Sequence, residues 1–448
     1  MQRIGTPICD FVTRYAKSHT LRLHMPGHKG VSLLGFEGAD ITEIRGADSL
    51  FEAEGIIAES EKNASSLFGA HTVYSTEGSS LCIRAMLWLM AQNAPKRGEK
   101  TVILAGRNAH RSFVSAAALL DLEVEWLYPP EGDSYLSCGI TPADLEGRLA
   151  AMRQKPTAVY ITSPDYLGNM ADVQGLARVC HAHGVYFLVD NAHGAYLKFL
   201  RESRHPMDMG ADLCCDSAHK TLPVLTGGAY LHIAKHLPPV FAREAKQAMA
   251  LFGSTSPSYL ILQSLDAANG YLSTRPTLFS DFAAQVDAAT ARLRACGIVL
   301  VGDEPLKWTI SAKPLGYTGT ELADCLRGLG IECEFADPDF LVLMLSPCLS
   351  AEELNRLAEA LTSIPRRAPR TDLPPVAAHP LRVMPLREAL FSPAEVLPAE
   401  QCLGRVLASV TVGCPPAVPV AVCGERLDAD TLCAFAYYGM KTCTVVKE

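Results

Sequence analysis

Short apolar segments alternate with longer amphipathic segments between residues 101 and 233. The apolar, β-branched runs predict strands, and the mixed segments at residues 142–153 and 172–183 predict helices between them. Strands that alternate with helices are typical of an α/β domain built on a mainly parallel sheet. The predicted strands are residues 101–105, 158–162, 185–189, 211–215 and 229–233.

Polar clusters follow four of these strands directly. Parallel α/β sheets bind their ligands beyond the carboxyl ends of the strands, so these clusters predict the position of a functional site. They are residues 108–110, 163–166, 190–193 and 217–220.

The pattern changes after a predicted helix at residues 259–271. Residues 281–364 have the alternation of a smaller α+β domain, and residues 365–380 contain five prolines, which is typical of a linker. We therefore predict an arm and large domain over residues 1–275, a small domain over 276–365, and a linker with a C-terminal domain over 366–448.

Composition limits the classes of function. The 448 residues are 48% hydrophobic and 20% charged, with a net charge of −8, which indicates a globular protein and disfavours nucleic-acid binding. No apolar run approaches the ~18–20 residues that cross a bilayer, and the first 22 residues do not resemble a signal peptide. We expect a cytoplasmic protein that binds neither membranes nor nucleic acid.

The cysteines and the absent motifs narrow the chemistry further. The 15 cysteines include no Cys-x-x-Cys pair, so we expect free thiols and no metal site; His181 and His183 fit the last turn of a helix better than a metal centre. The sequence also lacks a phosphate-binding P-loop, Gly-x-Gly-x-x-Gly, His-Glu-x-x-His and Gly-x-Ser-x-Gly. These absences disfavour nucleotide hydrolases, dinucleotide enzymes, metalloproteases and α/β-hydrolases.

Three strand-end or helix-start segments carry candidate chemistry. Lys220, after Ser217 and His219, could form a Schiff base if burial or nearby cations lower its pKa, although a lone lysine is more often a solvated surface residue. Asp190 could hold the pyridinium proton of pyridoxal phosphate while Ala192 leaves room for a flat ring; the alternative is a loop-capping aspartate.

The third segment, residues 75–80, precedes a predicted helix at 81–91. Gly78, Ser79 and Ser80 would supply amides, hydroxyls and the positive end of a helix dipole to a phosphate, although an ordinary N-cap is the simpler interpretation. The three segments together provide a phosphate cradle, a pyridinium partner and a lysine at the element ends of one sheet. This combination resembles the large domain of the fold type I pyridoxal-phosphate enzymes.

Longer motifs resemble the ornithine/lysine/arginine decarboxylase family over nearly the whole chain. The matching segments are residues 23–30 (LHMPGHKG), 107–112 (RNAHRS), 163–166 (SPDY), 190–194 (DNAHG), 217–226, 255–259 (TSPSY), 404–405, 415–419 and 424–425.

The resemblance implies a role for each matching residue. Lys220 would be the Schiff-base lysine, Asp190 the pyridinium partner, and His110 the residue that stacks on the cofactor ring. His219 would lie beside the phosphate or donate a proton, and His193 would line the cofactor site. The phosphate ligands would be Gly78, Ser79, Ser80 and Ser217, with Thr255 and Ser256 reaching it from the partner subunit of a homodimer.

The sequence departs from the family pattern at three site positions and at its N-terminus. Asn191 stands where a glutamate commonly follows the aspartate, Ala218 replaces a usual threonine, and Glu77 lies inside the phosphate loop. We expect no N-terminal wing domain of the kind that the large bacterial members carry, because the Pro-Gly-His-Lys motif starts at Pro26.

The expected activity is pyridoxal-phosphate-dependent decarboxylation of arginine, lysine or ornithine. The alternatives are an aminotransferase or a carbon–carbon lyase of the same fold, and a non-catalytic relative. A basic substrate needs a carboxylate for its distal charge, and the candidates are Glu43, Asp48 and Glu425.

Overall fold

A computed structural model describes residues 4–93, 100–129, 134–375, 379–412 and 416–448. Its strands, in chain order, are β1 (His71–Ser75), β2 (Val102–Gly106), β3 (Glu123–Leu127), β4 (Ala158–Thr162), β5 (Tyr186–Asp190), β6 (Leu213–Asp216), β7 (Ala229–Ile233), β8 (Leu300–Val301), β9 (Lys307–Ser311), β10 (Phe335–Ala336), β11 (Phe340–Met344), β12 (Ala394–Pro398), β13 (Thr411–Val412), β14 (Pro419–Ala421) and β15 (Thr442–Val446).

The helices are α1 (Pro7–Lys17), α2 (Ile56–Phe68), α3 (Gly78–Gln92), α4 (Arg111–Leu119), α5 (Pro142–Ala151), α6 (Val173–Ala182), α7 (Ala218–Thr221), α8 (Pro239–Ala250), α9 (Tyr259–Ser273), α10 (Leu278–Ala295), α11 (Gly319–Gly328), α12 (Ala351–Ser363), α13 (Leu386–Phe391) and α14 (Ala429–Tyr437). Short 3-10 turns add Glu37–Ala39, Ala195–Phe199, Lys313–Leu315 and Ala399–Gln401. Among the described residues, no helix is both long enough and apolar enough to cross a membrane.

Seven strands form the large sheet in the order β1-β7-β6-β5-β4-β2-β3. The pairs β5–β6, β2–β4 and β2–β3 are parallel, whereas β7 is antiparallel to both β6 and β1. The predicted mainly parallel α/β sheet is therefore confirmed. The five predicted strands are all present, and the edge strands β1 and β3, which the apolar pattern did not predict, complete the sheet.

The chain divides into two compact units, and each unit is built from two separate segments of the sequence. The first comprises residues 1–93 and 186–279 and contains β1, β5, β6 and β7. In this unit α3 is buried on nearly every side, through residues that include Leu81, Met86 and Leu87, which explains its almost continuous apolar sequence. The glycine that begins α3, Gly78, has a φ of +70°.

The second unit comprises residues 94–185 and 280–448 and contains β2, β3 and β4. It also holds a four-stranded sheet in the order β10-β11-β9-β8 and the two-stranded sheets β12–β15 and β13–β14. Capping boxes begin α5, α11 and α12, where Thr141, Thr318 and Ser350 each bond the amide three residues on. This architecture agrees with the predicted smaller α+β elements after the large sheet.

The C-terminal part of the second unit has its own apolar cluster, which includes Leu407, Phe435 and Val445. In the described residues of the proline-rich segment 365–380 there is no helix or strand. Residues 413–415, which include part of a matching C-terminal motif, lie outside the described residues. The domain boundaries at residues 275 and 365 stay predictions.

Candidate active site

The start of α3 and the end of β6 bring two hydroxyl groups together. Ser217 Oγ donates to Ser79 Oγ at 2.8 Å, so both residues face one point near the N-terminus of α3. The amide of Gly78 donates to the Gly227 carbonyl at 2.7 Å, which fixes the loop before the helix. Ser80 follows in the first turn of α3. Paired hydroxyls at a helix N-terminus favour an anion such as a phosphate.

Lys220 and His193 come together from two neighbouring strand ends. Lys220 is in the short helix α7 after β6, His193 is in the turn after β5, and Lys220 Nζ lies 3.0 Å from His193 Nε2. The ring of His219 has a different neighbour, because its Nδ1 lies 3.0 Å from the Gly228 carbonyl oxygen. A lysine amine next to an imidazole in a half-buried site has the chemistry that a Schiff-base lysine needs.

Asp190 is the last residue of β5 and is 2% exposed. Its Oδ1 accepts from the Ala192 amide at 3.2 Å and from Cys215 Sγ at 3.5 Å. A buried carboxylate at a strand end can hold a proton on a nitrogen heterocycle. The Cys215 contact is a feature that sequence reasoning missed, and its signal is a cysteine on the adjoining strand of the sheet.

The remaining predicted site residues lie elsewhere in each unit. His110, in the second unit, is the N-cap of α4, where its Nδ1 accepts from the Ser112 amide at 3.1 Å. Thr255 and Ser256, in the first unit, are exposed in the loop before α9. That loop is attached to the phosphate segment, because the Ser254 amide donates to Glu77 Oε1 at 2.6 Å. This bond gives Glu77, a departure from the family pattern, a structural function.

The three carboxylates considered for a substrate charge differ in what they contact. Asp48 accepts from backbone amides of residues 49, 54, 55, 57 and 58, so it caps α2. Glu425 lies 3.1 Å from Arg107 Nη2, and both side chains are buried. Burial raises the pKa of Glu425, and the Arg107 charge acts against that rise. Glu43 is exposed and accepts from Ser49 Oγ at 2.6 Å.

The donor set in the first unit fits pyridoxal phosphate. Ser79 and Ser217 offer hydroxyls to a phosphate, Asp190 offers a buried carboxylate to a ring nitrogen, and Lys220 offers an amine to an aldehyde. A side-chain carbon added at Gly78 would meet nothing within 4 Å, so the approach to the loop is open. The bound cofactor supplies an electron sink for the bond that is broken at the substrate α-carbon.

Comparisons with known proteins agree with this chemistry. A family model described as Orn/Lys/Arg decarboxylase, major domain, matches residues 6–281. The chain is 30% identical to arginine decarboxylase from Bacillus subtilis, over 96% of this chain and 93% of that protein. It is 31% identical to arginine decarboxylase from Halalkalibacterium halodurans, over 95% of this chain and 92% of that protein.

Solved structures of lysine decarboxylases share the fold. The Francisella novicida enzyme superposes with a TM-score of 0.80 at 16% identity, covering 99% of this chain and 81% of that one. The Escherichia coli constitutive enzyme gives a TM-score of 0.75 at 19% identity, covering 99% and 82%.

The chain has the fold of the fold type I pyridoxal-phosphate enzymes. Within that class, the chain belongs to the ornithine/lysine/arginine decarboxylase family, and it is an amino-acid decarboxylase. The predicted family and enzyme class are therefore confirmed, and so is pyridoxal phosphate as the cofactor of the family.

Proposed function

We propose that this protein decarboxylates arginine to the corresponding amine, with pyridoxal phosphate bound through Lys220. The observation that carries the proposal is similarity along more than nine-tenths of two arginine decarboxylases, together with the approach of Lys220 to His193. In this proposal Asp190 holds the ring-nitrogen proton, Ser79 and Ser217 bind the phosphate with Gly78 and Ser80, and His110 lies against the ring. His219 positions the phosphate or donates a proton. We also propose that the enzyme acts in the cytoplasm.

The substrate is tested by carbon dioxide release from arginine, lysine and ornithine, with glutamate and leucine as controls. Guanidinium is a planar fork and ammonium is a point charge, so a site shaped for one discriminates against the other. We expect kcat/KM for arginine to exceed kcat/KM for lysine and for ornithine by about tenfold or more. Preference for lysine or ornithine would reject arginine only, whereas release from leucine or glutamate alone would reject a basic substrate.

Glu43 is the carboxylate that we propose for the distal charge of the substrate. Asp48 is committed to backbone amides and Glu425 to Arg107, whereas Glu43 is exposed and accepts from one serine hydroxyl. We expect Glu43→Gln to raise KM for the basic substrate by about tenfold, ~1.4 kcal/mol. Glu52→Gln, an exposed carboxylate of the same segment, is the matched control. Equal KM values in the two variants would contradict the assignment.

We propose that the active form is a homodimer. Residues 21–36, here called the apolar arm, expose Leu21, Leu23, Leu33 and Leu34 by 76–82% of their surface. Four leucines exposed this close together are typical of an interaction surface. The exposure of Thr255 and Ser256 in one chain is what a contribution to a partner's phosphate site requires.

A charge in the apolar arm should therefore dissociate the dimer. We expect the double variant Leu23→Asp/Leu33→Asp to sediment as a monomer and to lose activity, because burying each leucine contributes ~1.5–3 kcal/mol and burying each aspartate opposes it. Leu373→Asp, which changes a leucine that is 83% exposed in the second unit, is the control. A double variant that is monomeric and fully active would overturn the requirement for a dimer.

A further inference from the structure

A second buried carboxylate, Asp216, lies at the end of β6 immediately before Ser217. Its side chain is 0% exposed. Asp216 Oδ2 is 3.0 Å from His205 Nε2 and 3.0 Å from His232 Nε2. Asp216 Oδ1 accepts from Asn191 Nδ2 at 2.7 Å. The Cys214 thiol also donates to Asp216 Oδ1, at 3.7 Å. A buried charge is tolerated only when hydrogen-bond donors surround it, and here four donors do so.

The charge in this cluster resides on Asp216. Burial alone would raise the pKa of Asp216, but the two histidines outweigh burial and hold that pKa well below its usual range. Burial lowers the pKa of His232, and the Asp216 charge acts against that lowering.

The contacts of the two Nδ1 atoms orient the ring protons of His205 and His232 toward Asp216. His205 Nδ1 accepts from the Met207 amide at 3.3 Å, so the ring proton that faces Asp216 is on Nε2. His232 Nδ1 is 2.9 Å from Thr72 Oγ1, a hydroxyl that can donate to it. Because the Asp216 carboxylate can only accept, each Nε2 donates its proton to Asp216.

Asn191 connects Asp216 to the turn after β5. Its backbone amide donates to the Cys215 carbonyl at 2.9 Å, and its carbonyl accepts from the Gly194 amide at 2.8 Å. Asn191 Oδ1 has no hydrogen-bond partner among the described residues. Rotating the amide would bring that oxygen against the Asp216 carboxylate, so Asp216 dictates the orientation of Asn191. A carbon at Gly194 would lie 1.9 Å from Asn191 Oδ1, so the turn closes tightly over this side chain.

We propose that Asp216 is a positioning residue for the cofactor site, acting through Asn191. Residues 190–194 carry Asp190 and His193 to the site, and Asn191 is attached by its backbone to one residue of β6 and by its side chain to the next. Losing the Asn191–Asp216 bond frees the turn to shift, and both the ring-nitrogen partner and the neighbour of Lys220 shift with it. The inference rests on the proposed roles of Asp190 and Lys220.

The test exchanges the amide and the carboxylate between the two positions. In Asp216→Asn an amide at 216 lies opposite the amide of Asn191, and in Asn191→Asp a carboxylate at 191 lies opposite the carboxylate of Asp216. Each single variant loses the hydrogen bond between the two side chains, so each should weaken pyridoxal phosphate binding by about tenfold or more. In the double variant Asn191→Asp/Asp216→Asn, the amide at 216 donates to the carboxylate at 191 and its oxygen accepts from both histidines. We expect the double variant to bind the cofactor more tightly than either single variant.

Equilibrium dialysis gives the affinity, and the absorbance band of the protonated Schiff base reports the geometry of Lys220. Asp212→Asn is the matched control, since Asp212 is a buried carboxylate beside the other end of β6 that bonds the Phe187 amide and His236. It should alter cofactor affinity by less than about threefold, whatever it does to thermal stability. A double variant no tighter than both single variants, or an Asp212→Asn effect equal to that of Asp216→Asn, would overturn the positioning role.

If Asp216→Asn does not fold, Asn191→Ala removes the same hydrogen bond without leaving an unpaired charge. It should fold, judged by circular dichroism and thermal melting of the cofactor-free protein, and still weaken cofactor binding by about tenfold. Unchanged affinity in this variant would also refute the role. Borohydride labelling of the wild type at Lys220 tests the underlying site separately, so the two proposals can fail independently.

Discussion

Lys220→Ala should abolish decarboxylation while leaving the protein folded. We expect kcat to fall by ~10³-fold or more, about 4 kcal/mol, because the variant loses the amine that bonds the cofactor aldehyde and moves protons at the reacting carbon. Lys220 is half-buried in α7 and its amine contacts His193, so alanine leaves a small polar gap and not an unpaired buried charge. Steady-state carbon dioxide release measures the effect, and melting of the cofactor-free protein checks the fold.

Borohydride reduction followed by peptide mapping identifies the lysine directly. The wild type should carry the reduced cofactor on Lys220, and Lys220→Ala should carry none. Lys29→Ala is the matched control, because Lys29 belongs to the other lysine-containing motif and its amine bonds the His24 carbonyl in the arm. A label on Lys29, or a Lys220→Ala variant with wild-type turnover, would refute the assignment of Lys220.

The central strands could be predicted from sequence because a strand that is buried on both faces has a nearly continuous apolar sequence. The strand β4, for example, is AVYIT and is buried along most of its length, and its bounds match the prediction. The edge strands gave a weaker signal. In β3, Glu123 and Glu125 alternate with apolar residues, and in β1 the polar His71, Thr72 and Ser75 dilute the pattern.

The reactive residues of the candidate site could be predicted because they lie at the ends of predicted strands. Lys220, Asp190 and Ser217 each follow or end an apolar run, and a parallel sheet brings such residues to one edge. The contacts that hold them were not predictable. The approach of His205 and His232 to Asp216 depends on how a loop and an antiparallel strand return to β6, and no spacing in the sequence encodes that return.

The same reason explains why sequence alone could not choose among the three candidate carboxylates. Asp48, Glu43 and Glu425 are equivalent as letters in a sequence. In the structure Asp48 caps a helix, Glu425 is neutralised by Arg107, and Glu43 is exposed to solvent. A carboxylate whose charge is already compensated has little electrostatic attraction left for a substrate cation. The fold determines which carboxylates already bond neighbouring groups, and therefore which carboxylate can still bind a substrate cation.

Asp190→Asn should lose most activity and keep part of its cofactor affinity. Asparagine has the same shape, and its Oδ1 can still accept from the Ala192 amide and from Cys215 Sγ, so the turn after β5 keeps its contacts. A neutral amide cannot stabilise a proton on the ring nitrogen, and an unprotonated ring is a poorer electron sink. We expect kcat to fall by ~10²–10³-fold, about 3–4 kcal/mol, with a far smaller loss of cofactor affinity.

The comparison with Asp216→Asn separates the two buried carboxylates. If Asp190 holds the ring proton and Asp216 only positions the turn, Asp190→Asn should act mainly on kcat and Asp216→Asn mainly on cofactor affinity. Asp190→Glu, which keeps the charge but lengthens the side chain, should recover part of the kcat lost in Asp190→Asn. Saturating pyridoxal phosphate should restore much of the activity of Asp216→Asn and little of that of Asp190→Asn. An Asp190→Asn variant that regains wild-type kcat at saturating cofactor would show that the carboxylate at 190 does not hold the ring proton.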